Sequence, residues 1–199
     1  KKSTRTNIWW NLIVYRFYIF SLYMLSLPSL ATVVFVYQSF ILTSKNWGPY
    51  IMAQSFMAYS VLSVITLSIS GFLIDKYSSR KLLIFMNIPL FISAIILHSF
   101  DSPYSSFIFL GLIGITNGFA NVLGSSTWAE IYGVKYIGGI KALTSGLMVF
   151  ATATGTAIFG ILIDLGYTIN SIAIFSSIYI AIIVILLFFY RKKIEPIYI

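Results

Sequence analysis

The chain has 199 residues, of which 59% are hydrophobic and 9% charged, with a mean hydropathy of +0.93. Soluble domains carry roughly a quarter charged residues, so this composition excludes a water-facing surface and makes the bilayer the solvent. The net charge of +8 does not call for nucleic acid, because the bases sit between apolar runs, and the lack of cysteine excludes disulfides and thiolate metal sites.

In chain order, residues 1–16 read as the end of a cytoplasmic linker followed by an interfacial segment. Lys1–Asn7 is polar and basic, Trp9 and Trp10 suit the headgroup layer, and Arg16 can snorkel to the same surface. A start at Lys1 rather than Met is expected of a fragment of a longer protein. A secretory signal is rejected, since the apolar part is too long and lacks a small-residue cleavage site. At roughly 20 residues per crossing, about six helices fit. They are predicted over 17–40, with Pro28 as a kink, and then 50–74, 82–100, 107–128, 142–163 and 171–190. Together 17–190 form an all-α integral membrane bundle. Residues 191–199, opened by Arg191-Lys192-Lys193, form a cytoplasmic tail.

Charge orients the bundle. Alternate connections gather Lys1, Lys2, Arg5, Arg16, Lys76, Arg80, Lys81, Lys135, Lys141, Arg191, Lys192 and Lys193 on one side, against Lys45 alone on the other. Short loops rich in Lys and Arg stay cytoplasmic, so both termini are expected inside a cell membrane. An internal echo accompanies this: Gly71-Phe72-Leu73-Ile74-Asp75 ends the second span and Gly160-Ile161-Leu162-Ile163-Asp164 ends the fifth. An inverted repeat of three plus three helices produces such a pattern.

The elbow from Gly71 to Lys81 resembles the signature loop of the major facilitator superfamily of transporters, Gly-x-x-x-Asp-Arg/Lys-x-Gly-Arg/Lys-Arg/Lys. Gly71, Asp75, Lys76, Arg80 and Lys81 match, and Ser78 replaces the second glycine. The loop Trp128-Ala129-Glu130-Ile131-Tyr132-Gly133 to Lys141 is similar to the loop between the tenth and eleventh helices of bacterial members near the monocarboxylate-porter and oxalate/formate-antiporter-like branch. The next span matches that branch too, with Thr156 where a proline is common. The resemblance covers 7–193 and implies helices seven to twelve, one half of the family fold. It also implies a missing amino-terminal six-helix bundle as partner and alternating access around a central cavity. Bacterial inner membrane is the location that follows, with a small organic anion as the solute.

Candidate functional residues fall into two groups. Gly71, Asp75, Lys76, Arg80, Lys81, Glu130 and Lys141 are expected to form a conformational latch on the inner loops, with Asp75 facing a helix N-terminus or a base of the other bundle. Simple solvation of charged loops is the competing account. Tyr37, Gln38, Ser55, Tyr59, Asn117, Asn121, Ser125, Ser145, Thr152 and Thr156 are candidates to line the cavity. An amide in hydrocarbon needs a partner or water, whereas hydroxyls can bond their own helix backbone. Gly114 and Gly118 are read as close-packing positions, and the third and sixth spans, apolar nearly all round, as lipid-facing. His98 is expected in a solvated loop. No acid or lysine lies deep in a span, so a proton relay would need the other half. One histidine and five scattered acids give no metal site, no cofactor site and no enzyme centre. The alternative to a transporter half is a self-sufficient six-helix protein, either a dimeric carrier or a regulatory scaffold.

Overall fold

Lipid offers the backbone no hydrogen-bond partner, so long apolar runs must close their bonds internally as helices. The computed structural model describes residues 2–190, and side chains from Phe17 onwards except Tyr136. The expectations for Trp9, Trp10, Arg16 and the tail therefore lie outside the described side chains. Six stretches are long and apolar enough to cross a membrane: Phe17–Val36, Pro49–Lys76, Ser79–Ser99, Pro103–Tyr132, Ile137–Asp164 and Ile169–Tyr190.

The elements are α1 (Lys2–Val36), α2 (Gln38–Lys45), α3 (Pro49–Lys76), α4 (Ser79–Met86), α5 (Ile88–Ser99), α6 (Pro103–Tyr132), α7 (Ile137–Asp164) and α8 (Ile169–Tyr190). The segment expected as a linker end thus has a helical backbone from Lys2. Pro49 and Pro103 open their helices, where a missing N–H costs nothing. Asn46 and Gly166, both at positive φ, close α2 and α7 in the same way. In each case the following residue's N–H reaches back five positions, Trp47 to Leu42 O and Tyr167 to Leu162 O, both at 3.0 Å. The first span stays helical through Pro28 and breaks at Tyr37 instead. Unforeseen by the sequence reading, the third span breaks at Asn87.

Two contacts fix the threading. At the end that carries Lys76, Arg80, Lys81, Lys135 and Lys141, hereafter the basic end, Glu130 at the close of α6 meets the start of α4. At the opposite end, Lys45 of α2 pairs with Asp101 before α6 at 2.6 Å, and the Trp47 indole donates to Asp101 O at 2.8 Å. His98 Nδ1 there donates to Asn170 O at 2.9 Å, so His98 ties α5 to α8 and is no solvated loop residue.

Packing follows an exchange rule. α3 packs on α6 as α7 packs on α1; α5 packs on α6 as α8 packs on α1; α5 and α8 pack on each other. Swapping the first three spans for the last three maps this set onto itself, as a three-plus-three inverted repeat requires. One cluster of buried apolar side chains lies towards each end, with Phe20, Leu83, Met86, Trp128 and Leu187 at the basic end. Trp47, Met52, Leu97, Phe109 and Ile172 belong to the other.

Burial divides the spans in a way their apolar character does not. The third and sixth spans are buried over 39% and 33% of their apolar windows, while the second and fifth, α3 and α7, are buried over only 11% and 6%. The uncovered helices are therefore the middle ones of each unit. An apolar surface alone does not reveal this, because lipid and a neighbouring helix satisfy it equally.

Candidate functional site

α1, α6 and α7 enclose a cleft of about 250 Å³. Its apolar wall includes Met24, Leu25, Pro28 and Met148, and its polar groups come from Ser21, Asn117, Asn121, Thr144 and Ser145. Trp128 borders it towards the basic end, stacked among Phe17, Phe20 and Tyr132 with ring centroids 5.3, 6.1 and 5.8 Å away. Among the described residues, no Lys, Arg, His, Asp or Glu lines the cleft.

The two asparagines differ from the hydroxyls. Asn117 Nδ2 donates to Ser63 Oγ of α3 at 2.9 Å, and Asn121 Nδ2 donates to Asn117 O at 2.9 Å. Each amide NH2 thus spends one of its two N–H groups, which leaves one donor and the amide oxygen of each asparagine for a solute. Thr144 donates instead to Ile140 O at 3.0 Å, within its own helix. A second groove of about 280 Å³ between α1, α7 and α8 has Ser29, Thr154, Ser176 and Tyr179 as its polar residues and no amide.

The structure brings together Asn117, Asn121 and Ser145, and separates the other expected cavity residues from them. Ser55 is fully buried, bonded to Ser106 Oγ of α6 and to Ile51 O, so it belongs to the α3–α6 contact. Tyr59 lies on the same contact, where a Cβ on Gly114 would stand 2.3 Å from Tyr59 O. Gly118 likewise leaves no room, its Cβ falling 2.6 Å from Ser63 O, and the close-packing reading of both glycines holds. Tyr37 reaches across to α7, donating to Thr156 O at 3.1 Å and stacking on Phe159. Gln38 is exposed on α2, beyond the cleft. Thr152 and Thr156 donate to carbonyls of their own helix, and Ser125 is half-buried on α6 outside the cleft lining. A hydroxyl that bonds its own backbone carries no information about its outward face.

At the basic end, Glu130 accepts from Ser79 N at 2.8 Å, from Arg80 N at 3.4 Å and from Arg80 Nε at 3.1 Å. Its carboxylate therefore caps α4 on the positive end of that helix's dipole. Within this bundle the start of α4 is thus taken by Glu130 and not by Asp75. Asp75 is exposed in the last turn of α3 with no hydrogen bond or ion pair among the described residues. Lys76 lies over the Tyr77 ring at 5.5 Å, while Lys81 and Lys141 are exposed. A Cβ on Gly71 would meet nothing within 4 Å, so tight packing inside this bundle does not explain that glycine.

Sequence reasoning missed a buried polar cluster behind the cleft, formed by Tyr23, Ser26 and Asn87, each with no exposed surface. Asn87-Ile88-Pro89 was the signal available: an amide and a proline one residue apart inside an apolar span.

These features define a multi-pass membrane protein built as two inverted three-helix units around an uncharged cleft. The Major Facilitator Superfamily profile matches residues 19–197, and the chain belongs to that superfamily of secondary transporters. No curated protein and no solved structure matches it.

Proposed function

We propose that this chain forms one wall of a carrier that moves a small solute by alternating access, with the basic end in the cytoplasm. The observation that carries this reading is the cleft between α1, α6 and α7, with two asparagine amides that each keep an oxygen and one N–H for a solute. The uncovered α3 and α7 flank it, and they are the surfaces on which a second six-helix bundle, amino-terminal to this one, would sit. Gly71 supports the same reading, since its bare face is open to such a bundle.

The latch proposed for the inner loops has two parts. Glu130 holds Ser79 and Arg80 within this half, and Asp75, Lys76, Lys81 and Lys141 face the other. For the solute, the branch resemblance points to a small organic anion. With no base in this cleft, the anion's charge is met by the other wall, and its hydroxyl or protonated groups lie against Asn117 and Asn121. The test is uptake by the full protein in liposomes, offered labelled carboxylates, sugars and amino acids. Carboxylate uptake that falls in Asn121→Ala supports the reading; no uptake of any of the three classes overturns it.

A further inference from the structure

We propose that the third span is a two-state hinge at Asn87, switched by the Tyr23 hydroxyl of α1, and that Tyr23 is a positioning residue for alternation. This rests on the alternating-access reading above. In an unbroken helix the Asn87 N–H would donate to Leu83 O, four residues back. Here the backbone leaves helical values at Asn87 (φ −92, ψ 0) and that N–H is shared between Phe85 O and Tyr23 Oη, the latter at 3.1 Å. Tyr23 Oη in turn donates to Leu83 O at 2.8 Å, with Ile84 O 2.9 Å away. The phenol is spliced into the ladder as an extra rung, a recognised cause of helix bending.

The splice leaves something over. Asn87 Nδ2 donates to Tyr23 O at 3.0 Å and to Ser26 Oγ at 2.6 Å, but Asn87 Oδ1 is buried with no partner among the described residues. An orphaned buried acceptor needs a reason. A second arrangement supplies one: the Asn87 N–H closes directly on Leu83 O, and the released Tyr23 hydroxyl donates to Asn87 Oδ1. Both arrangements spend the same donors and make the same number of bonds, which is the condition for a bistable element. The Nδ2 bonds tether the partners through the exchange.

Its position gives the hinge a task. α4 is gripped at its start by Glu130 of α6 and at its end by Tyr23 of α1, and α1 and α6 are two walls of the cleft. Ser21, Met24 and Leu25, which flank Tyr23 in sequence, line that cleft. A shift of α1 against a solute therefore works on the rung, and α4 carries the change to the Glu130 contact.

The chain contains no cysteine, so Ser145→Cys places a single thiol of this chain on the cleft. The full protein in liposomes is labelled with an impermeant maleimide from each side in turn. Tyr23→Phe, which removes the rung, and Asn87→Leu, which removes the acceptor of the second arrangement, are expected to shift the ratio of labelling from the two sides in opposite directions, each by about fivefold, the factor one net hydrogen bond carries. A static brace would lower thermal stability but leave that ratio parental in the folded fraction, and a parental ratio overturns the hinge. If Tyr23→Phe does not fold, Asn87→Leu decides by the same ratio. If the parent itself labels from one side under all conditions, alternation fails and the hinge with it; a parent that labels from both sides with matching variants sinks the hinge alone.

Discussion

Asp75 and Glu130 lie at the same end of the bundle in opposite electrostatic situations. Glu130 sits on the positive start of α4 and takes three hydrogen bonds. Asp75 sits in the last turn of α3, where unpaired carbonyls disfavour a carboxylate by about 0.3–1 kcal/mol. Asp75 therefore does not stabilise this bundle. Asp75→Asn should leave the melting temperature in detergent unchanged or slightly raised while slowing uptake; a variant that transports at the parental rate ends the latch proposal. At the other end, the Lys45–Asp101 pair is one-sided, with side-chain exposures of 1% and 74%. Asp101→Ala strands a buried ammonium with only the Phe100 carbonyl beside it, which costs about 3 kcal/mol. Lys45→Met leaves a carboxylate that water already solvates, and its cost is expected to be smaller. Thermal denaturation of the two variants, compared side by side, tests the order.

Helix pairs obey a different rule. α3 and α6 approach so closely that Gly114 and Gly118 have no room for a Cβ and one on Gly111 would push the Leu62 side chain aside, with Ser55 meeting Ser106 and Ser63 meeting Asn117 along the same seam. Dispersion and hydroxyl contacts hold this seam, because lipid supplies no hydrophobic drive between helices. Gly114→Val should destabilise the bundle by about 1–3 kcal/mol through overlap with Tyr59 backbone. Gly71→Ala meets nothing within 4 Å and gains helix propensity, so its melting temperature should not fall. If both variants melt alike, the seam is not what holds α3. The glycine face of α6 was legible in the sequence, since spacing of three and four residues puts small residues on one side. The polar stripe of α3 was legible as a stripe but not as a seam. Ser55, Ser63, Thr66 and Ser70 are all buried or nearly so, turned towards α6 and away from the cleft.

For the whole molecule, charge and topology make one joint prediction. Tyr77→Cys, in the exposed elbow, should react with an impermeant thiol reagent only from the cytoplasm, and Leu165→Cys, in the exposed turn before α8, only from outside. Accessibility of either from the wrong side removes the orientation and the latch with it. The inverted repeat was hinted at by two Gly-to-Asp endings, and those endings fall at the close of α3 and α7. The exchange of packing partners, not the pentapeptides, gives the repeat its weight.

Hydropathy and loop charge act on each segment separately, so the sequence by itself determined how many spans there are, where they turn and which loops share an end. A run of about 20 apolar residues has no alternative to a helix in lipid, whatever its neighbours are. Tertiary structure alone decided which faces meet. Lipid and a packed helix are equally apolar, so α3 and α5 read alike although one is bare and the other covered. Pro89 marks the break at Asn87 locally, but the hydroxyl that meets the freed backbone lies 64 residues away in the chain, and no local pattern encodes a partner at that distance.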